Sequence, residues 1–497
     1  DFHLQFTLDL FDTRFKEWEL FWCLKFEDRL PRALLAVPSS AFMMMSWGQR
    51  RTLAVFICSL VFTTTSSFSP SILQRPCKTC QKSWIHERAS YARGCSQPTT
   101  MVASVPKVAD VPPTTSAASG AASTKGRLHV QLGDAFYDLT GWRKIHPAGK
   151  HWIDRFADRD ATDVMRAFHS EEAFERLKTL PIVRNREPME PNQRTKNFRA
   201  FRQELVEAGW FKRVWFKDAF LLAAHLGTNV AGIVLSRVNP WLGIVVLGLA
   251  HTTGGWFAHD MVHGRGRFCN AMRNYGALTC GLSTKWWSEK HNIHHAFTNV
   301  VGTDEDLMVE PFVWLWAPSE DRDRPWRRFQ KFYWPLVFSL TFLQWRFDSV
   351  RTVLARKLKV EGACLALHYC LLAALVPLPV IVGHMLFGGW LTAVIVTVTH
   401  TSEEYTTEDN DSYVETQFKT TRDAVTRDPI SEYIWGGMQY QLEHHLFPTM
   451  PRYNYPRVVP LVKKFAEENG IGYRATGQWE IMRDNLILVR PVEIVVQ

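Results

Sequence analysis

The stretch from Cys364 to Thr399 contains no lysine, arginine, aspartate or glutamate. That excludes a solvated loop, and the run exceeds the roughly 20 apolar residues one bilayer crossing needs. Gly388-Gly389 offers a turn inside it, so two tightly joined helices are expected. Acidic residues are scarce elsewhere as well. Between Thr63 and Lys125 only Glu87 and Asp110 occur, in a background of serine and threonine. Such a segment has too little apolar surface to fold by itself. Cysteine is thin: nine residues in 497 form no disulfide framework, and Cys77-x-x-Cys80 has no second pair at zinc-finger spacing. The net charge of +9 does not gather into a basic block interleaved with aromatics, so no nucleic-acid partner is expected.

What is present points to a bilayer. Two further apolar stretches, about Ala219–Val238 and Trp241–Ala258, are joined by Asn239-Pro240. With the pair inside 364–399 they make four predicted transmembrane helices, and Tyr333–Trp345 reads as an interfacial helix. Twenty tryptophans and thirty-two phenylalanines fit interfacial belts and an apolar substrate site. An even number of crossings keeps everything between and after the pairs on one side, and the basic 264–361 segment assigns that side to the cytosol or stroma.

Three histidine clusters follow these apolar runs: His259-x-x-x-His263, His291-x-x-His294-His295, and Gln441-x-x-His444-His445. Spacings of three and four put side chains on one helix face, and imidazole is a good ligand for iron, copper, nickel and zinc. Scattered core histidines are the plainer alternative, and order and spacing together argue against it. Near the start of the compact region, Tyr137-Asp138-Leu139-Thr140-Gly141-Trp142 leads to His146-Pro147-Ala148-Gly149, and Ala167-Phe168-His169-Ser170 comes later.

On these residues the chain resembles the front-end membrane fatty acyl desaturases, similar to delta-5 and delta-6 enzymes. They carry an N-terminal cytochrome b5-like domain and open the third histidine box with Gln. The resemblance implies an α+β haem-binding domain followed by an all-α membrane desaturase domain with a histidine-rich diiron site. It implies haem b bound by His146 and His169, and two non-haem irons bound by His259, His263, His291, His294, His295, His444 and His445. His400, which ends the last predicted helix, is assigned as an eighth ligand. Gln441 is expected to hydrogen-bond behind the ligands or to bind one iron weakly, and Asp260 and Asp304 to hydrogen-bond behind the ligands; Glu289, Asp306 and Glu443 also lie close to the boxes. Trp286 and Trp287 could line the acyl tunnel or sit in an interfacial belt. Ala148 stands where the haem motif has Gly, which would strain the turn by roughly 1 kcal/mol if that position needs positive φ.

The activity implied is O2-dependent insertion of a cis double bond on the carboxyl side of an existing one, in an acyl lipid or acyl-CoA. Electrons would arrive through the haem domain from cytochrome b5 reductase or ferredoxin. The alternatives are a sphingoid long-chain-base desaturase, a b5-fused fatty acid hydroxylase, and a non-catalytic haem membrane protein. The expected organisation is 1–42 unassigned, with an upstream extension as one reading; 43–126 signal- and transit-like; 127–185 haem domain; 186–213 linker; and 214–497 desaturase domain. Met43 to Met45 are plausible starts. Arg50-Arg51, the apolar run Thr52 to Phe62 and Ser66-Ser67-Phe68-Ser69-Pro70 leave endoplasmic reticulum and an algal-type plastid membrane both open.

Overall fold

A computed structural model describes residues 127–487 apart from 147, 310–311, 316–322 and 407–411. The segments 1–42 and 43–126, with the Cys77/Cys80 pair, lie outside the described residues.

Two strands, β1 (His129–Leu132) and β2 (Ala135–Asp138), pair antiparallel, with His129 opposite Asp138 and Leu132 opposite Ala135. The tight turn between them requires a positive φ, and Gly133 supplies it at 68°. Three short helices follow: α1 (Lys150–Arg155), α2 (Thr162–Phe168) and α3 (Glu171–Leu177). Val130, Tyr137, Leu139, Trp152, Phe156 and Ala161 form their core, and that core runs on into Ile293, Ala296, Phe297 and Val300. This is the α+β unit expected for the haem domain, packed directly on the second histidine box.

The stretch read as a linker contains a helix, α4 (Gln193–Glu207), which Asn192 caps by accepting a 2.8 Å hydrogen bond from the Thr195 amide. Phe198 and Leu205 bury themselves against Phe447 and Phe465. Pro188 and Pro191 precede the helix and do not disturb it.

The membrane body begins with α5 (Trp215–Val238) and α6 (Pro240–His263). Asn239 starts α6 by accepting from the Trp241 and Leu242 amides, and Pro240 sits in the first turn where its missing N–H costs nothing. Then come α7 (Arg267–Met272), α8 (Tyr275–Cys280), α9 (Thr284–Ala296), α10 (Gln330–Ser339), α11 (Thr341–Arg356), α12 (Lys359–Leu375) and α13 (Leu378–Val398). Among the described residues three helices, α5, α6 and α13, are long and apolar enough to cross a membrane. The fourth expected crossing is α12, which is helical but only 17 residues long. Trp215, Phe220, Val230, Val234 and Val238 of α5 are exposed, a face suited to hydrocarbon and not to water. The interfacial stretch 333–345 is two helices, α10 and α11, meeting at Leu340.

The turn expected at Gly388-Gly389 lies elsewhere. The helices break at Val376 and Pro377, and Gly388-Gly389 sits inside α13. A Cβ on Gly388 would lie 2.8 Å from the Phe342 ring and 2.9 Å from the Gly248 carbonyl; one on Gly389 would lie 2.8 Å from the Ser339 carbonyl. These glycines exist so that α6, α10 and α11 can approach α13 at backbone distance.

The remainder packs against the ends of these helices: α14 (Tyr413–Thr420), β3 (Asp423–Val425), α15 (Pro429–Trp435), α16 (Gln441–Leu446), α17 (Tyr455–Glu468), β4 (Ala475–Gly477) and α18 (Gln478–Ile487). β3 and β4 pair in parallel, Asp423 opposite Ala475.

Candidate metal centre

His259 and His263 occupy successive turns at the end of α6, so both rings project from one face. His291 and His295 do the same on α9, with His294 turned to the neighbouring face; His444 and His445 lie in the last turn of α16. The ligand atoms of His259, His263, His291, His295 and His444 lie within 4.8 Å of one another. Those of His294, His400 and His445 form a second such group. The two groups touch, since the His295 and His445 rings stack at 4.1 Å.

These distances suit metal ions. The Nε2 atoms of His259 and His291 are 2.6 Å apart, and those of His291 and His295 are 3.0 Å apart. Nitrogens about 2 Å from one ion, at adjacent corners of its coordination shell, are separated by about 3 Å. Both ring nitrogens of His263, Nε2 of His444 and Oε1 of Gln441 are buried without a hydrogen-bond partner among the described residues, and a metal would satisfy one atom of each side chain. Burial first, then neighbouring imidazoles, hold His295, His444 and His445 well below their ordinary pKa, and His400 is pushed down to about 3 by burial and then His294. Neutral rings with free lone pairs are what a cation requires. His294 differs. Burial pulls it down, but the Asp304 carboxylate outweighs that, and its net shift is upward.

The backs of the rings are fixed mostly by groups outside the boxes. His294 Nδ1 donates to Asp304 at 2.8 Å. His400 Nδ1 donates to the Thr420 carbonyl at 2.9 Å, and His445 Nδ1 to Gln417 Oε1 at 2.8 Å. His444 Nδ1 lies 3.1 Å from the Tyr455 hydroxyl. Gln441 faces the smaller group, its amide nitrogen 3.0 Å from His400 Nε2 and 3.4 Å from His445 Nε2. Turning that amide over would present its oxygen to the same point.

Asp260 does not join this set. Arg213 binds it at 2.8 Å and also binds Asp218, so Asp260 anchors the entry of α5 against the end of α6. Glu289 pairs with Lys285 and Arg356 towards the surface. Asp306 pairs with Lys290 and stays 3.7 Å from His294 Nδ1 and 3.9 Å from His291 Nδ1. Glu443 points away from the histidines, accepting from Tyr473 at 3.1 Å, and burial followed by Asp423 raises its pKa well above the usual range. Gln417 and Tyr455 carry no motif and escaped the sequence reading.

A cavity of about 40 Å³ adjoins His259, lined by Trp256, Val262, Cys280, Trp287, Phe342 and others. Trp287 therefore lines it. Trp286 packs behind, against Trp287 and Trp345.

His146 and His169 face each other with ring centres 6.1 Å apart. Two imidazoles on opposite sides of one haem iron have ring centres about 6 Å apart, each nitrogen being about 2 Å from the metal. Nδ1 of His146 is tied to the Gly149 carbonyl and Nδ1 of His169 to the Met165 carbonyl, both at 3.2 Å, which leaves each Nε2 for the metal. The positive φ of this turn falls on Gly149, at 100°, while Ala148 packs against the apolar core.

Comparison with known proteins finds matches over both regions. The fatty acid desaturase family matches residues 235–477, and the cytochrome b5-like heme/steroid binding domain matches 118–190. A Delta(8)-fatty-acid desaturase of Euglena gracilis is 30% identical over 389 residues, covering 69% of this chain and 90% of that protein. An acyl-lipid 8-desaturase of Rebecca salina is 28% identical over 392 residues, 72% of this chain and 90% of that one. The Delta(5) fatty acid desaturase fat-4 of Caenorhabditis elegans is 34% identical over 275 residues, 47% of this chain and 60% of its own length.

The chain belongs to the fatty acid desaturase family, in the form that carries a cytochrome b5-like domain. It is an O2-dependent membrane oxidoreductase of fatty acyl chains that uses a diiron site and haem, with electrons passing through its haem domain.

Proposed function

We propose that the enzyme is a front-end desaturase, placing a cis double bond between an existing one and the carboxyl end. Two relatives named as 8-desaturases and one as a Delta(5) desaturase support carbon 8 or 5 as the position. The observation that carries the reading is the pair of contiguous histidine groups beside an apolar cavity, with Gln441 facing the smaller group. His259, His263, His291, His295 and His444 would hold one iron, and His294, His400 and His445 the other, with Gln441 adjoining. His146 and His169 would hold the haem. Residues 127–185 form the haem domain and 214–497 the desaturase domain, joined through α4.

Bound iron supplies activated oxygen, which removing hydrogen from an unactivated methylene requires and no side chain provides. The protein's own part is binding, orientation and exclusion of water. Trp256, Val262, Phe342 and Trp287 hold the methylenes beside His259 in surroundings that admit little water. Thr420, Gln417, Tyr455 and Asp304 fix the imidazole orientations, so the cage need not reorganise on loading. The donor to the haem domain is a flavoprotein reductase in the endoplasmic reticulum, or ferredoxin if residues 43–126 deliver the chain to a plastid. A fluorescent fusion to that segment distinguishes the two.

The test is lipid profiling of a host expressing the chain and fed mono- and polyunsaturated acids. A new double bond on the carboxyl side of an existing one is expected. Unsaturation confined to long-chain bases, or hydroxylated products without olefins, overturns the reading.

A further inference from the structure

The haem-domain residue next to His169 reaches the metal cage. The Phe168 ring stacks on His263 with centres 6.4 Å apart, and meets His295 edge-on at 6.1 Å. These two histidines come from different helices, α6 and α9, and both belong to the larger group. On its other side Phe168 packs against Trp152, at 6.2 Å, in the haem-domain core. Around this contact the domain is fastened to the second box: Phe156 stacks on Phe297 at 5.5 Å, the Arg155 guanidinium lies 5.3 Å from the same ring, and Arg155 donates to Thr303 at 3.1 Å.

We propose that the haem domain is docked in its electron-delivering pose in the resting fold, and that Phe168 is the residue that couples it to the cage. The inference rests on the desaturase reading above. Electron tunnelling weakens steeply with distance through space and less through bonds and packed atoms. From the His169 ring the route runs along one peptide link to Phe168, whose ring meets two metal-cage imidazoles with no intervening residue. The step is a one-electron exchange: ferrous haem becomes ferric as one ferric ion in the cage becomes ferrous, and no bond is made or broken. It occurs twice per double bond. The acyl chain supplies the other two electrons and two protons, two more protons come from solvent, and O2 leaves as two waters. No swing of the domain is needed between deliveries.

The test uses the full chain loaded with haem and iron. The haem is reduced, and its reoxidation is followed by absorbance in the presence of O2 and substrate. Phe168→Leu keeps an apolar filler and removes the ring; it should slow haem reoxidation several-fold or more, while the haem spectrum and midpoint potential stay at wild-type values. Phe168→Tyr restores a ring and should recover most of the rate. A bifunctional maleimide should join Arg155→Cys to Thr303→Cys in the resting protein, whatever its catalytic state. An unchanged reoxidation rate in Phe168→Leu, or absence of that cross-link, overturns the proposal. If the wild-type chain makes no olefin yet the cross-link forms, the desaturase reading fails and the docked pose stands.

Discussion

His400 stands perpendicular to His294, their ring centres 4.7 Å apart, although one follows a membrane helix and the other lies in the second box. Its Nδ1 is held by the Thr420 carbonyl, so its Nε2 faces Gln441. Removing the ring by His400→Ala should abolish desaturation and lower non-haem iron by about half, because only one of two ions loses a ligand. His251→Ala is the control. His251 is buried too, but its partner is Arg346, at 2.9 Å in the membrane body. Iron analysis of both purified variants decides; full iron in His400→Ala would remove that residue from the ligand set.

Asp304 and Asp260 both follow the logic of a carboxylate beside a histidine box, yet only Asp304 bonds an imidazole. Asp304→Asn should weaken iron binding by about 10–100-fold, the usual cost of losing the group that orients a ligand. Asp260→Asn should leave iron affinity alone and lower thermal stability, since half-buried Arg213 keeps only Asp218 as a full counter-charge. Chelator competition and melting curves on both variants separate the roles. Equal effects on iron would contradict the assignment.

The buried imidazoles also set a pH dependence for the metal-free protein. His400 titrates at about 3 when folded, and His295, His444 and His445 are likewise held low by burial and neighbouring rings. An unfolded chain takes up protons at these positions as pH falls through about 6.5, whereas the folded chain does not. Their contribution is therefore complete above the unfolded value and is lost as pH falls below it. His294 has the opposite sign: its folded pKa is raised, so its share is present at low pH and lost as pH rises. The four depressed groups outweigh it. Melting temperature of the iron-free protein in detergent should fall between about pH 7.5 and 5.5, and less steeply in His400→Gln. A flat profile would mean that the histidines are hydrated in the absence of iron.

The clustering of the three boxes was legible because histidines that share a helix face repeat at three or four residues, and that spacing survives in the chain. His400 was legible because it ends an apolar run. Gln417 and Tyr455 were not, since a lone partner on a separate helix leaves no periodic trace. Asp260 misled because sequence distance to a histidine says nothing of a nearer cation, here Arg213 from the segment before α5. The 186–213 stretch hid α4 because its apolar residues Phe198, Phe201 and Leu205 are few and its polar face dominates.

Gly388-Gly389 was misread for a related reason: glycine at a turn and glycine at a helix crossing look alike in one sequence. The structure separates them, and so does an experiment. A Cβ on Gly388 would meet the Phe342 ring and the Gly248 backbone below 3 Å, so Gly388→Ala must push α13 away from α6 and α11. That should cost about 1–3 kcal/mol, seen as a lower melting temperature and poor recovery in detergent. Gly255, on α6, has nothing among the described residues within 4 Å of its would-be Cβ and lines the cavity beside His259. Gly255→Val should fold and load iron normally, yet narrow the space for the acyl chain. Desaturation should fall for every chain that must occupy that space, while haem reduction proceeds unchanged. If Gly255→Val leaves product yields untouched across a panel of chain lengths, the substrate methylenes do not run through this cavity.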